Sequence, residues 1–333
     1  MYIKNGMKRT ISTLIVLSAG FSIAWAGTWR LEDSGNWKQV SQQQGQDKFL
    51  MAVAEEKKLV NTGQTKAARK AFEKLKEEFP EIAGPDLDRY IKAELLLSRR
   101  KLTKAARNYD KLLTDFPHTK LREAALERLF AIGTAFLGDQ KQKVLGFIKI
   151  SGYAEGIKIM EKVTDRAGID STMGVEAAIA VARNYEKREK LQEAYLKWWE
   201  ISLEWQTGII GRDALLGMAQ AKYAIYNEHP KNKRPFYDAS CLRSAKSYYE
   251  RFRLLYPEDA KTIGVDRILN EISGQLANKE YVIGQYYQKT GNIQSANLYY
   301  NMVVTNWPES TAAEGAKSML NRLKGSTMKN EKN

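Results

Sequence analysis

The sequence predicts an all-α protein, a superhelical array of about six helix pairs preceded by a small hairpin-like segment. Three observations carry that prediction. From about Lys48 the apolar residues recur at helical spacing almost to the end of the 333-residue chain. Pro80, Pro117, Pro257 and Pro308 each follow an aromatic residue: Phe79, Phe116, Tyr256 and Trp307. Counting back from each proline, a small and then an aromatic residue recur in register: Ala68 and Phe72, Ala105 and Tyr109, Ala245 and Tyr249, Ala296 and Tyr300.

The register has a physical reason. A small residue lets two helices approach closely, and an aromatic four positions on lies on the same face and fills the gap between them. Proline cannot continue a helix, and it pushes the residue before it out of helical conformation. Gly63 and Gly291 sit five residues before Ala68 and Ala296, where a tight turn joins the helices of a pair. A turn there favours glycine because glycine takes positive φ at little cost. Arg100 occupies the same place in the second copy. These residues resemble the tetratricopeptide repeat, a helix–turn–helix unit of about 34 residues. A weaker copy runs through Ala194-Tyr195-Leu196-Lys197-Trp198, with Gln206 in place of the proline, and another lies around Tyr153 to Gly168. Uneven spacing between the prolines requires some first helices to be long. Thr262 to Lys289, with Ile268, Leu269, Ile272, Leu276 and Ile283, is the best example.

Outside the repeats the segments differ in character. Residues 1–26 have the layout of a secretory signal peptide: Lys4, Lys8 and Arg9, an uncharged run from Ile11 to Ile23, and a small-x-small site at Ala24-Trp25-Ala26 before Gly27. The run is shorter than the roughly 20 apolar residues of a membrane span. Cleavage before Gly27 is therefore expected over retention as an anchor. Leu17-Ser18-Ala19 opens like a bacterial lipoprotein signal, but Gly20 stands where that signal needs a cysteine. Residues 27–47 place turn residues between Trp29 and Trp37, which predicts a β-hairpin followed by a linker from Gln42 to Gln46. The two tryptophans either cover the open end of the first repeat or contact a partner. The array is expected over 48–324. Within it, Glu228 to Phe236 reads as an exposed basic loop whose Lys231, Lys233 and Arg234 are solvated or meet a partner or an anionic surface. Ser310 or Thr311 caps a last helix, Thr311 with Glu314 fitting a capping box. Residues 325–333 read as a disordered polar tail.

Lys and Arg exceed Asp and Glu by 53 to 39, a net charge of +14. The basic residues are spread through amphipathic segments without nucleic-acid-binding motifs, so acidic or carboxylate-bearing protein partners fit better than nucleic acid. The two histidines, His118 and His229, lie in unrelated contexts. No phosphate loop or nucleophile elbow is present. Catalytic, metal and cofactor-binding residues are therefore expected to be none. Cys241, the single cysteine, reads as a small buried residue. Trp198, Trp199 and Trp205 read as core packing rather than a ligand box.

The stretch Ala245-Lys246-Ser247-Tyr248-Tyr249-Glu250-Arg251-Phe252 ending in Leu255-Tyr256-Pro257 is similar to the BamD-like family of outer-membrane protein assembly lipoproteins. So are Leu276 to Tyr281 and Gln285 to Asn292. The specific resemblance covers roughly 244–323. It implies a non-catalytic periplasmic scaffold, outer-membrane-associated through its partners. Those partners would be the periplasmic domains of the barrel-assembly subunit and unfolded barrel substrates. An adaptor for another cell-envelope or cell-division complex is the alternative. The missing lipobox cysteine and the extra N-terminal segment depart from the family.

Overall fold

A computed structural model describes residues 29–31, 37–39, 44–138, 141–144 and 148–330. The expected signal segment, with Ala24, Ala26, Gly27 and Gly20, lies outside these residues. The chain forms two compact units, residues 1–56 and 57–333.

In the first unit β1 (Trp29–Leu31) and β2 (Trp37–Gln39) pair antiparallel, Trp29 opposite Gln39 and Leu31 opposite Trp37. Helix α1 (Gln44–Asn61) starts in this unit and ends in the second. Gln44 to Gln46, expected in a linker, are its first residues. Glutamine is a good helix former and no proline stands in the way.

The second unit is a helical repeat array. Its helices are α2 (Thr65–Glu78), α3 (Pro85–Ser98), α4 (Leu102–Asp115), α5 (Arg122–Leu137), α6 (Tyr153–Ala167), α7 (Thr172–Lys187) and α8 (Leu191–Glu204). There follow α9 (Gly208–Asn227), α10 (Ser240–Leu255), the short α11 (Pro257–Ile263), α12 (Val265–Lys289), α13 (Ile293–Asn306) and α14 (Thr311–Asn330). Helix–turn–helix pairs are α1/α2, α3/α4, α5/α6, α7/α8, α9/α10 and α12/α13, six among the described residues. Helices α4, α6 and α8 each also pack on the first helix of the next pair. At 25 residues, α12 is the longest.

The second helices show why these residues fold this way. Ala68, Ala105, Gly156, Ala194, Ala245 and Ala296 are all buried. Four residues on, Phe72, Tyr109, Met160, Trp198, Tyr249 and Tyr300 are buried too, and three further on so are Leu75, Leu112, Val163, Ile201, Phe252 and Val303. One face of each helix therefore fills the core. Phe79, Phe116, Tyr256 and Trp307 then end their helices with φ between −127° and −139° and ψ between 58° and 71°. That is the escape from helical geometry that a following proline enforces. The turns inside four pairs each hold one left-handed residue: Gly63, Arg100, Glu189 and Gly291.

Two features depart from the sequence-based expectation, and a third decides between two cap residues the sequence offers. A second hairpin, β3 (Lys141–Val144) with β4 (Ile148–Ser151), interrupts the pair α5/α6. The helical expectation runs through it because its valine and isoleucines also suit a short apolar helix segment. Ser310, not Thr311, caps α14: its hydroxyl accepts from the Ala313 backbone N–H at 3.1 Å. The expected tail is helical through Asn330, since Gly325 weakens a helix without breaking it. Residues 331–333 lie outside the described part.

Candidate protein-binding groove

Trp198 and Trp199 are neighbours in α8, so they point about 100° apart around the helix axis. Trp198 turns inward. Its indole N–H donates to Glu186 Oε1 at 2.6 Å, and its ring lies over Gly217 of α9, where a Cβ would come within 2.4 Å of the indole. Glycine is what allows that approach. The carboxyl of Glu186 is raised above its usual range by burial, which the indole hydrogen bond only partly offsets. With Trp198 fixed inside, Trp199 is left outside at 46% exposure, in line with Leu196 and Leu203. The three make one exposed apolar stripe at helical spacing.

That stripe is one wall of a cleft of about 310 Å³. Trp199, Ser202 and Leu203 of α8 face Tyr248 and Arg251 of α10 across a floor of Gly211, Leu215 and Met218 from α9. Trp205 and Gln206 close the end beyond α8. The indole N–H of Trp205 donates to the Ile169 carbonyl at 2.8 Å, which fixes the ring. Near the other end the hydroxyls of Tyr195 and Tyr248 meet at 3.1 Å, and the Lys222 ammonium sits 3.8 Å from the Tyr195 ring centre. Burial, with help from Tyr248, pushes the Tyr195 phenol up to about 12. Arg251 brings a positive charge to the rim. Arg251 is exposed and makes no ion pair among the described residues, whereas Lys246 and Arg253 on the same helix pair with Glu250 and Asp266. A cleft with apolar walls, polar groups among them and a guanidinium at its rim can seat an apolar side chain beside a carboxylate.

Elsewhere the array is held by buried ionic groups. Glu94 has no exposure. Its carboxylate accepts from Arg128 Nε and Nη2, both at 2.8 Å, and from the Tyr109 hydroxyl at 2.7 Å. Arg128 Nη1 also donates to Asn61 Oδ1 at 2.7 Å. Burial, then the Glu94 charge, drives the Tyr109 phenol well above its ordinary value. Asp110 binds Lys162 and Arg166. Burial works to raise its carboxyl, but those two cations outweigh it and hold it below the usual range. Lys197 is likewise spent on Glu161 and Glu200.

The residues singled out from sequence fall in different places. Ala68, Phe72, Ala105, Tyr109, Ala245, Tyr249, Ala296 and Tyr300 line the core, while Gly63, Gly291, Pro80, Pro117, Pro257 and Pro308 mark turns and helix ends. None of them lines the groove. Lys231 and Lys233 are exposed. Arg234, expected as a third loop contact, is not: it donates to the carbonyls of His229 and Asn227 and holds the loop from inside. The tryptophans were expected as core, and Trp198 is core, but Trp199 faces solvent. The signal for this was the exposed spacing Leu196, Trp199, Leu203, which the repeat pattern masked. Cys241 is half-buried. Among the described residues no three His, Cys, Asp or Glu side chains are placed to hold a metal ion. Among the same residues no helix is long and apolar enough to cross a membrane.

Residues 48–81 match the tetratricopeptide repeat family. No curated protein matches the sequence. Solved structures that the chain is similar to include PilW, a widely conserved type IV pilus biogenesis factor. That match has 14% identity over 83% of this chain and 99% of that one, at a TM-score of 0.29. Another is the human IFIT1 dimer with m7Gppp-AAAA, at 13% identity over 82% of this chain and 72% of that one, with a TM-score of 0.25. Likenesses at this level carry neither protein's function to this chain.

Proposed function

We propose that this chain is a non-catalytic scaffold of the cell envelope that binds a protein segment in the groove between α8 and α10. The observation that carries the reading is the groove itself: an open cleft of mixed apolar and polar lining, with an exposed tryptophan on one wall and, on the other, an arginine that makes no ion pair among the described residues. Repeat arrays of this kind serve as binding surfaces rather than as catalysts. The signal-like residues 1–26 support export to the periplasm. The resemblance of residues 244–323 to the BamD-like family supports a place in outer-membrane β-barrel assembly, with the barrel-forming subunit or its unfolded substrates as partners. Gly20, standing where a lipid-bearing cysteine would be, favours keeping the second reading, an adaptor for a different envelope complex.

Recovery of the chain from native envelopes under mild detergent tests the choice. Co-recovery of a barrel-assembly subunit, lost in Trp199→Ser with Leu203→Ser, is the expected result. Reproducible recovery of a different complex by the same surface would favour the adaptor reading. Turnover of a substrate by the purified chain, abolished by a point substitution, would overturn the scaffold reading altogether.

A further inference from the structure

The connection between α9 and α10 is built to hold an aromatic side chain out in water. Its backbone is tied from beneath at several points. The Arg234 guanidinium donates to the carbonyls of His229 at 2.9 Å and Asn227 at 2.8 Å. The Tyr226 hydroxyl donates to the Arg234 carbonyl at 2.9 Å. From α12, the Lys279 ammonium donates to the carbonyls of Pro235 at 3.0 Å and Tyr237 at 2.7 Å. The His229 and Tyr237 rings stack 3.6 Å apart and nearly parallel, and Pro235 is buried. Between these fixed points Phe236 is 74% exposed. A slack loop could fold its phenylalanine back onto the protein. Here the backbone on either side of Phe236 is tied in place by hydrogen bonds.

We propose that this loop docks on an anionic phospholipid surface, with Phe236 entering the interface and Lys231 and Lys233 meeting the headgroups. Both lysines are exposed, and neither makes an ion pair among the described residues. Aromatic rings favour the membrane–water boundary, and lysine stems reach from it to anionic headgroups. The acidic neighbours are Glu228 and Asp238, both exposed. Asp238 is engaged by the hydroxyl and backbone N–H of Ser240. The excess of basic residues that remains once Lys4, Lys8 and Arg9 leave with the signal segment, +11, works in the same direction. One aromatic ring and two lysines make a weak, reversible contact of the single-signal kind.

The test uses the intact chain with Phe236→Trp as a reporter, against the unsubstituted chain as baseline for its own tryptophans. Both are titrated with brominated phosphatidylglycerol vesicles and with brominated phosphatidylcholine vesicles. The reporter is expected to gain blue-shifted emission that the anionic vesicles quench several-fold more than the zwitterionic ones. High salt should erase the difference. Lys231→Ser and Lys233→Ser in the reporter should each weaken binding about fivefold, from about 1 kcal/mol per basic residue at such a surface. No added quenching, or equal quenching by both lipids, overturns the proposal. So does a protein partner lost on Phe236→Ser when the reporter shows no quenching, because the loop would then be a protein contact.

Discussion

Glu94 is fully buried and depends on Arg128 for compensation. Replacing Arg128 with Met leaves that carboxylate buried without its cation. The loss expected is about 3–5 kcal/mol, measured by urea denaturation. Glu94 and Arg128 lie 34 residues apart on α3 and α5, about one repeat length. Single-sequence reading cannot pair them, because each alone looks like a solvated charge on a helix. Asp110 gives a pH signature. Its folded carboxyl is held below the unfolded value, so its contribution is present above about pH 4 and is lost as pH falls through the lowered value. Asp110→Asn should flatten the acid limb of the stability–pH curve, and an unchanged slope would contradict the assignment. Glu189 sits at φ 56°, where Gly63 and Gly291 stand in other pairs. Left-handed geometry costs about 1–2 kcal/mol for an L side chain, against about 0.5–1 for the entropy glycine loses. Glu189→Gly should therefore stabilise by about 0.5–1 kcal/mol in the same assay.

At the scale of elements, what was legible is what repeats. The small–aromatic–aromatic-proline register located four second helices outright, and the degenerate copies located α6 and α8, because each position answers to one steric demand. The hairpin β3–β4 was not legible, since a short apolar run fits strand and helix alike. The cap of α14 was left between two neighbouring residues, as helix ends read from sequence commonly are. Ser310→Ala should cost about 1 kcal/mol through loss of the side-chain cap on the Ala313 N–H, seen as a lowered thermal midpoint. Gly217→Ala should cost about 1–3 kcal/mol, because the added methyl would come within 2.4 Å of the buried Trp198 ring. The core expectation for Trp199 fails for a related reason: periodicity shows that a face is apolar but not whether a neighbour covers it.

For the molecule as a whole, the array brings side chains from α8, α9 and α10 to one cleft, and no short motif marks that meeting. The residues with the clearest sequence signature hold the helices together. Those that line the proposed binding groove are ones the signature leaves free: Trp199, Leu203 and Arg251. The claim that this groove engages a protein is tested most directly by a photo-crosslinking residue placed at Trp199 in living cells, with exposed Lys74 as the control position. A discrete protein adduct at 199, absent at 74 and lost on Arg251→Glu, is the predicted result. Adducts equal at both positions, or none at 199 while the chain remains bound to its partners, would contradict it.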